Sequence, residues 1–194
     1  MKHIFTSTFV FICCISAIAQ NEDNRIFKPF KVDMSLGGAL PINGTGNARG
    51  GGISSIEPKY AITDQFALGL RMEMAMLGRF ITNNQDRYGE GDLLANSSYL
   101  FTGDYYFNNQ KCRPFMGAGA GLYQIVGAIL NDNISFESIF FANKFGGMVR
   151  SGFEAGHFRL GAEYNLIPKT RLSQHNHYIG FKVGFCIGGG RYEQ

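Results

Sequence analysis

Between Phe66 and Met76 the chain reads FALGLRMEMAM, and every second residue is bulky and apolar. Phe66, Leu68, Leu70, Met72, Met74 and Met76 fall on one side; Ala67, Gly69, Arg71, Glu73 and Ala75 fall on the other. A repeat of two marks a β-strand with two unlike faces. The length suits a tilted membrane-spanning strand of about 9–11 residues. The same alternation recurs along the chain. Phe30, Val32, Met34, Leu36 and Leu40 oppose Lys31, Asp33 and Ser35, and Ile56, Tyr60 and Ile62 oppose Glu57 and Lys59. Tyr99, Phe101, Tyr105 and Phe107 oppose Ser98, Thr102 and Asp104. Phe145, Val149 and Phe153 oppose Lys144, Arg150 and Glu154. Phe158, Leu160, Ala162, Tyr164 and Leu166 oppose Arg159 and Glu163, and Ile179, Phe181, Val183 and Phe185 oppose Lys182. With PFMGAGAGLYQI (Pro114–Ile125), the pattern predicts eight strands and an all-β fold.

Hairpin register supports this reading. If Thr63-Asp64-Gln65 is a short turn with Ile62 facing Phe66, Glu57 lies opposite Arg71. A slip of two residues would instead set Glu57 against Glu73 and Lys59 against Arg71, both like-charge pairs. Around Gly156-His157, read as a two-residue loop with Gly first, Glu154 meets Arg159 and Arg150 meets Glu163. Separate hairpins thus put opposite charges together on the polar face.

The polar face reads as the inner one. It is rich in Gly, Ala and Ser, which suits the crowded interior of a narrow barrel rather than the outside of a soluble ligand carrier. Connections alternate between short, at 63–65, 108–112 and 155–157, and long, near 41–52, 77–92, 126–141 and 167–176. Both termini then lie at the short-turn end, the arrangement of barrels that span outer membranes. Phe30, Tyr60, Phe66, Tyr105, Phe107, Phe115, Phe153, Phe158 and Phe185 crowd the apolar face beside the short turns, as an interfacial aromatic girdle would. The predicted interior charge network is Lys31, Asp33, Glu57, Lys59, Arg71, Glu73, Asp104, Arg150, Glu154, Arg159, Glu163 and Lys182. An eight-strand barrel is just wide enough for its side chains to fill, so a salt-bridged interior without an open pore is expected.

Two stretches strain the pattern. MGAGAGLY (Met116–Tyr123) has little bulk on either face; pairing Phe107 with Phe115 would set Tyr105 opposite Gly117 and Phe101 opposite Gly121, where rings cover the glycines. Pro58 cannot donate to a closed ladder, so a bulge or local break is expected there.

Composition adds location. The chain has 194 residues, only 17% of them charged, with 26 Gly, 18 Phe, 9 Tyr and no Trp. A net charge of +3 with no basic run gives no case for nucleic acid. Residues 1–19 read as a secretory signal: Lys2 and His3 lead an apolar core, and Ala17-Ile18-Ala19 supplies a cleavage pattern that sets the cut between Ala19 and Gln20. The chain then divides into a lead-in over 20–29, the barrel over 30–187 and a tail over 188–194. The mature chain keeps Cys112 and Cys186, both near the short-turn end and in an oxidising compartment. They are candidates for a disulfide, although their strands are not neighbours and a bridge needs α-carbons within about 7 Å.

Candidate chemistry is thin. His175 and His177 could share a face with an acidic third ligand, but loop surface explains them better, and no metal or other cofactor is expected. Ser173, His175 and Glu163 could be drafted as a lipid-hydrolysing set, yet nothing in the sequence fixes their geometry. Neither a phosphate loop nor a CxxC motif occurs.

The signal segment, IEPKYAITDQFALGL (Ile56–Leu70), RPFMGAGAGLY (Arg113–Tyr123) and the closing YIGFKVGFCIGG (Tyr178–Gly189) together resemble the small OmpA/OmpX-like eight-stranded outer-membrane barrels of Gram-negative bacteria. The resemblance covers nearly the whole mature chain and specifies architecture rather than activity. It implies an up-and-down barrel in outer-membrane lipid, assembled by the barrel-insertion machinery and monomeric. Such barrels often end on an aromatic residue; here the chain runs past Phe185 to Arg191-Tyr192-Glu193-Gln194, leaving Phe185 or Tyr192 for that role. The expected function is a non-enzymatic envelope protein acting structurally or through its loops. A lipid-modifying hydrolase and a secreted lipocalin-like carrier of an apolar ligand are the alternatives.

Overall fold

A computed structural model describes residues 25–42, 47–81, 90–130, 136–168 and 177–192. The cleavage pair Ala19 and Gln20, the loop residues Ser173 and His175, and parts of the lead-in, the tail and the long connections lie outside the described residues. The strands are β1 (Phe30–Pro41), the short β2 (Asn47–Arg49), β3 (Gly51–Ala61), β4 (Phe66–Ile81), β5 (Glu90–Tyr106), β6 (Cys112–Leu130), β7 (Phe136–Ala155), β8 (Phe158–Leu166) and β9 (Tyr178–Gly188). Hydrogen-bonded neighbours run β4-β3-β1-β9-β8-β7-β6-β5, and β5 pairs back with β4, so eight antiparallel staves close; β2 only extends the ladder beside β4. A closed ladder satisfies every stave on both edges, the condition for crossing lipid with strands. Opposite walls are four staves apart, so β3 faces β7 and β4 faces β8 across the lumen.

Alternation sets which face is which. Leu36, Leu70, Phe101, Phe145, Leu160 and Val183 stand exposed on the outer wall, and their neighbours in sequence turn inward. The β3–β4 register has Ile56 opposite Met72 and Lys59 opposite Gly69. That spacing puts Glu57 at the level of Arg71, but the ladder lapses at Glu57 and Pro58 without a change of register. Pro58 therefore causes a break and no bulge, because its missing N–H removes a bond without adding a residue. At the β7–β8 turn Gly156 has φ +61°, and Glu154 opposes Arg159 while Arg150 opposes Glu163.

Two expectations fail. Much of the long connections near 77–92 and 126–141 is strand: β4 runs to Ile81, β5 starts at Glu90, β6 reaches Leu130 and β7 begins at Phe136. The β5–β6 register is also one residue away from the expected one. Tyr106 pairs with Phe115, Asp104 with Gly117 and Leu100 with Gly121. A slip of one turns every side chain to the opposite face. Phe115 therefore points into the barrel, almost fully buried, and is not part of the outer girdle. The remaining eight girdle aromatics, Phe30, Tyr60, Phe66, Tyr105, Phe107, Phe153, Phe158 and Phe185, are exposed on the outer wall. Gly117, Gly119 and Gly121 face the lumen instead of lying under aromatic rings. A Cβ on Gly117 would collide with Asp104 and lie 3.1 Å from Arg150 Nε, so glycine there makes room for charge.

Residues 25–30 and 188–192 are hydrogen-bonded together at the short-turn mouth. Arg25 donates to the carbonyls of Ala61 and Ile62 at 3.0 and 3.2 Å, and Asp64 accepts from the backbone N–H of Ile26 and Phe27. Gly188 and Gly189, at φ +82° and +67°, turn the tail beneath the barrel, where Arg191 bridges to Phe27.

Candidate functional site in the barrel interior

All twelve sequence-predicted charges lie on the inward face. Eleven are buried whole, and the Lys182 side chain is 9% exposed. They form two networks stacked along the barrel axis.

The network nearer the short turns also includes Arg113. Lys59 joins Asp33, Glu57 at 3.5 Å and Asp104 at 2.7 Å. Arg150 donates through Nη1 and Nη2 to Glu57 at 2.6 and 2.7 Å and through Nε to Asp104 at 2.7 Å. Arg159 meets Asp33, Asp104 and Glu154 at 3.3, 2.7 and 3.1 Å. Glu154 further takes Lys31, Arg113 and the Tyr106 hydroxyl, the last at 2.9 Å. Thr102 donates to Glu57.

The second network is a closed ring of Arg71, Glu73, Glu163 and Lys182. Arg71 meets Glu73, and meets Glu163 at 2.6 Å; Lys182 meets Glu73 at 2.9 Å and Glu163 at 2.8 Å. Tyr178 Oη donates to Glu73 at 2.7 Å, and Asn165 Nδ2 to Glu163 at 3.2 Å. The expected Glu57–Arg71 pair does not form. Although level on adjacent strands, each finds its partner on the opposite wall, Glu57 in Arg150 on β7 and Arg71 in Glu163 on β8. Buried charges need several such partners to offset lost hydration.

Between the networks remains a cavity of about 20 Å³, lined by members of both, room for about one water. Above the ring the interior becomes apolar: Ile53, Leu77, Leu100, Tyr123, Ile125, Met148 and Ile167 pack together toward the long-loop end.

Sequence reasoning missed Arg113, Tyr106 and this apolar cap. The missed signal was the alternation of Gly with Met, Ala and Leu after Arg113, which puts Arg113, Phe115 and the glycines on one face. Cys186 is buried on the inward face of β9, whereas Cys112 is exposed where β6 begins, so both thiols are free and the candidate disulfide is not formed. His177 stacks on Tyr164 at 5.9 Å and accepts the Ile167 N–H at 3.2 Å, a role in holding the loop base. Glu163 belongs to the ring. Asp33, Glu154 and Cys186 lie within 4.8 Å of one another, the one such cluster among the described residues, but Lys31, Lys59 and Arg159 already neutralise its carboxylates.

No protein-family model and no curated protein sequence matches this chain. Solved structures do. Neisserial surface protein A is similar with a TM-score of 0.62 at 17% identity, over 84% of this chain and 98% of that one. The outer membrane protein OprG of Pseudomonas aeruginosa is similar with a TM-score of 0.54 at 12% identity, over 88% of this chain and 99% of that one. The chain is a small eight-stranded antiparallel β-barrel and shares its fold with these outer-membrane proteins.

Proposed function

We propose that this protein is a non-enzymatic outer-membrane barrel of a Gram-negative bacterium, exported through a cleaved signal peptide, with a solid interior that makes it a stake in the envelope. Its contacts with partners, in adhesion or defence, are made by the long-loop end. The observation that carries this reading is the pair of ion bridges spanning opposite walls, Glu57–Arg150 and Arg71–Glu163, with about 20 Å³ left between their networks. A lumen tied wall to wall suits rigidity and leaves no room for a solute between the two networks.

The test has three readouts. In the membrane fraction, the unboiled protein should migrate faster in SDS than the boiled protein, the mark of a closed barrel. In planar bilayers it should add no steady conductance, and phospholipid vesicles should keep their lipids intact. Stable channels would refute the solid interior. Phospholipid hydrolysis lost in Ser173→Ala or His175→Ala would replace this reading with the enzymatic one.

A further inference from the structure

We propose that the pocket at the short-turn mouth binds the phosphate of an anionic phospholipid headgroup. The proposal rests on the barrel lying in a bilayer, as argued above. The pocket encloses about 500 Å³ and is lined by Phe27, Lys111, Arg113, Glu154, His157 and Arg191, with backbone from the glycine-rich tail. That size lies within the range of about 300–1,000 Å³ common for ligand sites.

Its charge is unbalanced. Glu154, the one carboxylate among the described lining residues, is already shared by Lys31, Arg113 and Arg159. Lys111 and Arg191 have no acidic partner among the described residues. The network behind the pocket repeats the imbalance: Lys31, Lys59, Arg113, Arg150 and Arg159 face only Asp33, Glu57, Asp104 and Glu154. A cation surplus at the mouth of a low-dielectric lumen favours a bound anion.

The site is also preorganised. The Arg113 guanidinium lies 3.9 Å from the Phe27 ring centre and 4.3 Å from that of Tyr106, while Arg191 lies over the Phe27 ring at 5.6 Å. Planar guanidinium groups held this way suit phosphate oxygens. The source of the phosphate follows from position. His157, in the lining, stacks on Phe185 at 5.5 Å, and Phe185 meets Phe158 edge-on at 5.9 Å. Phe158 and Phe185 are exposed on the outer wall. The pocket thus adjoins the lipid-facing girdle, so a headgroup can enter while its acyl chains stay on the barrel wall. His157 Nδ1 donates to the Cys186 carbonyl at 2.8 Å, which anchors the connecting ring.

The test uses the full barrel in nanodiscs of equal parts phosphatidylcholine and phosphatidylglycerol, followed by native mass spectrometry of the lipids it retains. Wild type should hold one phosphatidylglycerol in preference to phosphatidylcholine. Lys111→Gln/Arg191→Gln, which changes two exposed residues, should weaken that retention roughly 30-fold. Lys28→Gln, exposed at the same end but outside the lining, should leave it unchanged. Equal retention of both lipids, or unchanged retention in the double variant, overturns the proposal. So does stabilisation by inorganic phosphate in phosphatidylcholine discs without preference for phosphatidylglycerol, which would make the ligand a soluble anion. Fast unboiled mobility in each protein separates the two readings: its absence in wild type overturns membrane residence and lipid site together, and its presence without lipid preference overturns the site alone.

Discussion

Arg150 on β7 and Glu57 on β3 form a two-pronged ion pair, at 2.6 and 2.7 Å, between strands on opposite walls of the barrel. Arg71 on β4 and Glu163 on β8 repeat the arrangement at another level, at 2.6 Å. Adjacent strands are held by backbone hydrogen bonds. Opposite walls have only side chains to join them, and here the joining groups are charged. Paired and desolvated, these groups fix the cross-section of the barrel.

The ring should behave as one unit. Arg71→Leu leaves Glu73 and Glu163 sharing Lys182 alone, and should cost about 3–5 kcal/mol in urea unfolding from liposomes. Adding Glu163→Leu should return at least about 1 kcal/mol, since the pair is coupled. Adding Glu57→Leu instead should be additive within about 0.5 kcal/mol, because Glu57 belongs to the other network. Coupling to Glu57 rather than Glu163 would contradict the observed pairing.

Removing one tie should not make a pore. In Glu57→Ala/Arg150→Ala the lumen is still crossed by the Arg71–Glu163 pair and capped by Leu100, Tyr123 and Met148. Single-channel recording of this variant should therefore remain silent. Steady conductance would mean that the first network alone seals the barrel.

Lipid exposure should show a depth dependence. Leu70, 61% exposed in the body of β4, should cost about 2–4 kcal/mol when changed to Arg, as at a bilayer midplane. Phe30, 58% exposed in the short-turn girdle, should cost only about 0–1 kcal/mol for the same change. Equal costs at both positions would remove the bilayer from the explanation.

The sequence made the two faces legible wherever bulky and charged residues alternate, as in Phe66–Met76, because a strand has no other way to separate them. Partners were less legible. Turn geometry sets Glu57 level with Arg71, but which carboxylate a long guanidinium reaches depends on how the sheet closes, a property of all eight staves together. In β6 the alternation of Gly with Ala is nearly silent, so only turn length points to the inner face, and there one residue decides everything. The sequence pattern therefore places Phe115 outward and gives no sign of Arg113.

Glycines on the two faces should answer differently to a methyl group. In Gly117→Ala the new Cβ meets the Asp104 carboxylate and the Gly103 carbonyl, and overpacking of this kind costs about 1–3 kcal/mol. A Cβ at Gly52, on exposed backbone of β3, meets nothing within 4 Å, so Gly52→Ala should be neutral or stabilising by up to about 1 kcal/mol. Urea unfolding of the two variants side by side checks the β6 register, because the expected one-residue alternative would turn Gly117 outward and make its substitution harmless.

The two free thiols should be separable by access. Cys112 is exposed at the start of β6, whereas Cys186 is 1% exposed on the inner face of β9, where the wall and Asp33 surround its sulfur. A maleimide reagent applied to the folded barrel should add one label, on Cys112, and denaturation should release the second site. Mass spectrometry counts the labels, and SDS mobility should be unchanged by reductant. A folded protein that takes no label until it is reduced would instead establish the Cys112–Cys186 bridge. That bridge would require Cys186 to leave the interior, which would undo the inward register of β9 that places Lys182 in the ring.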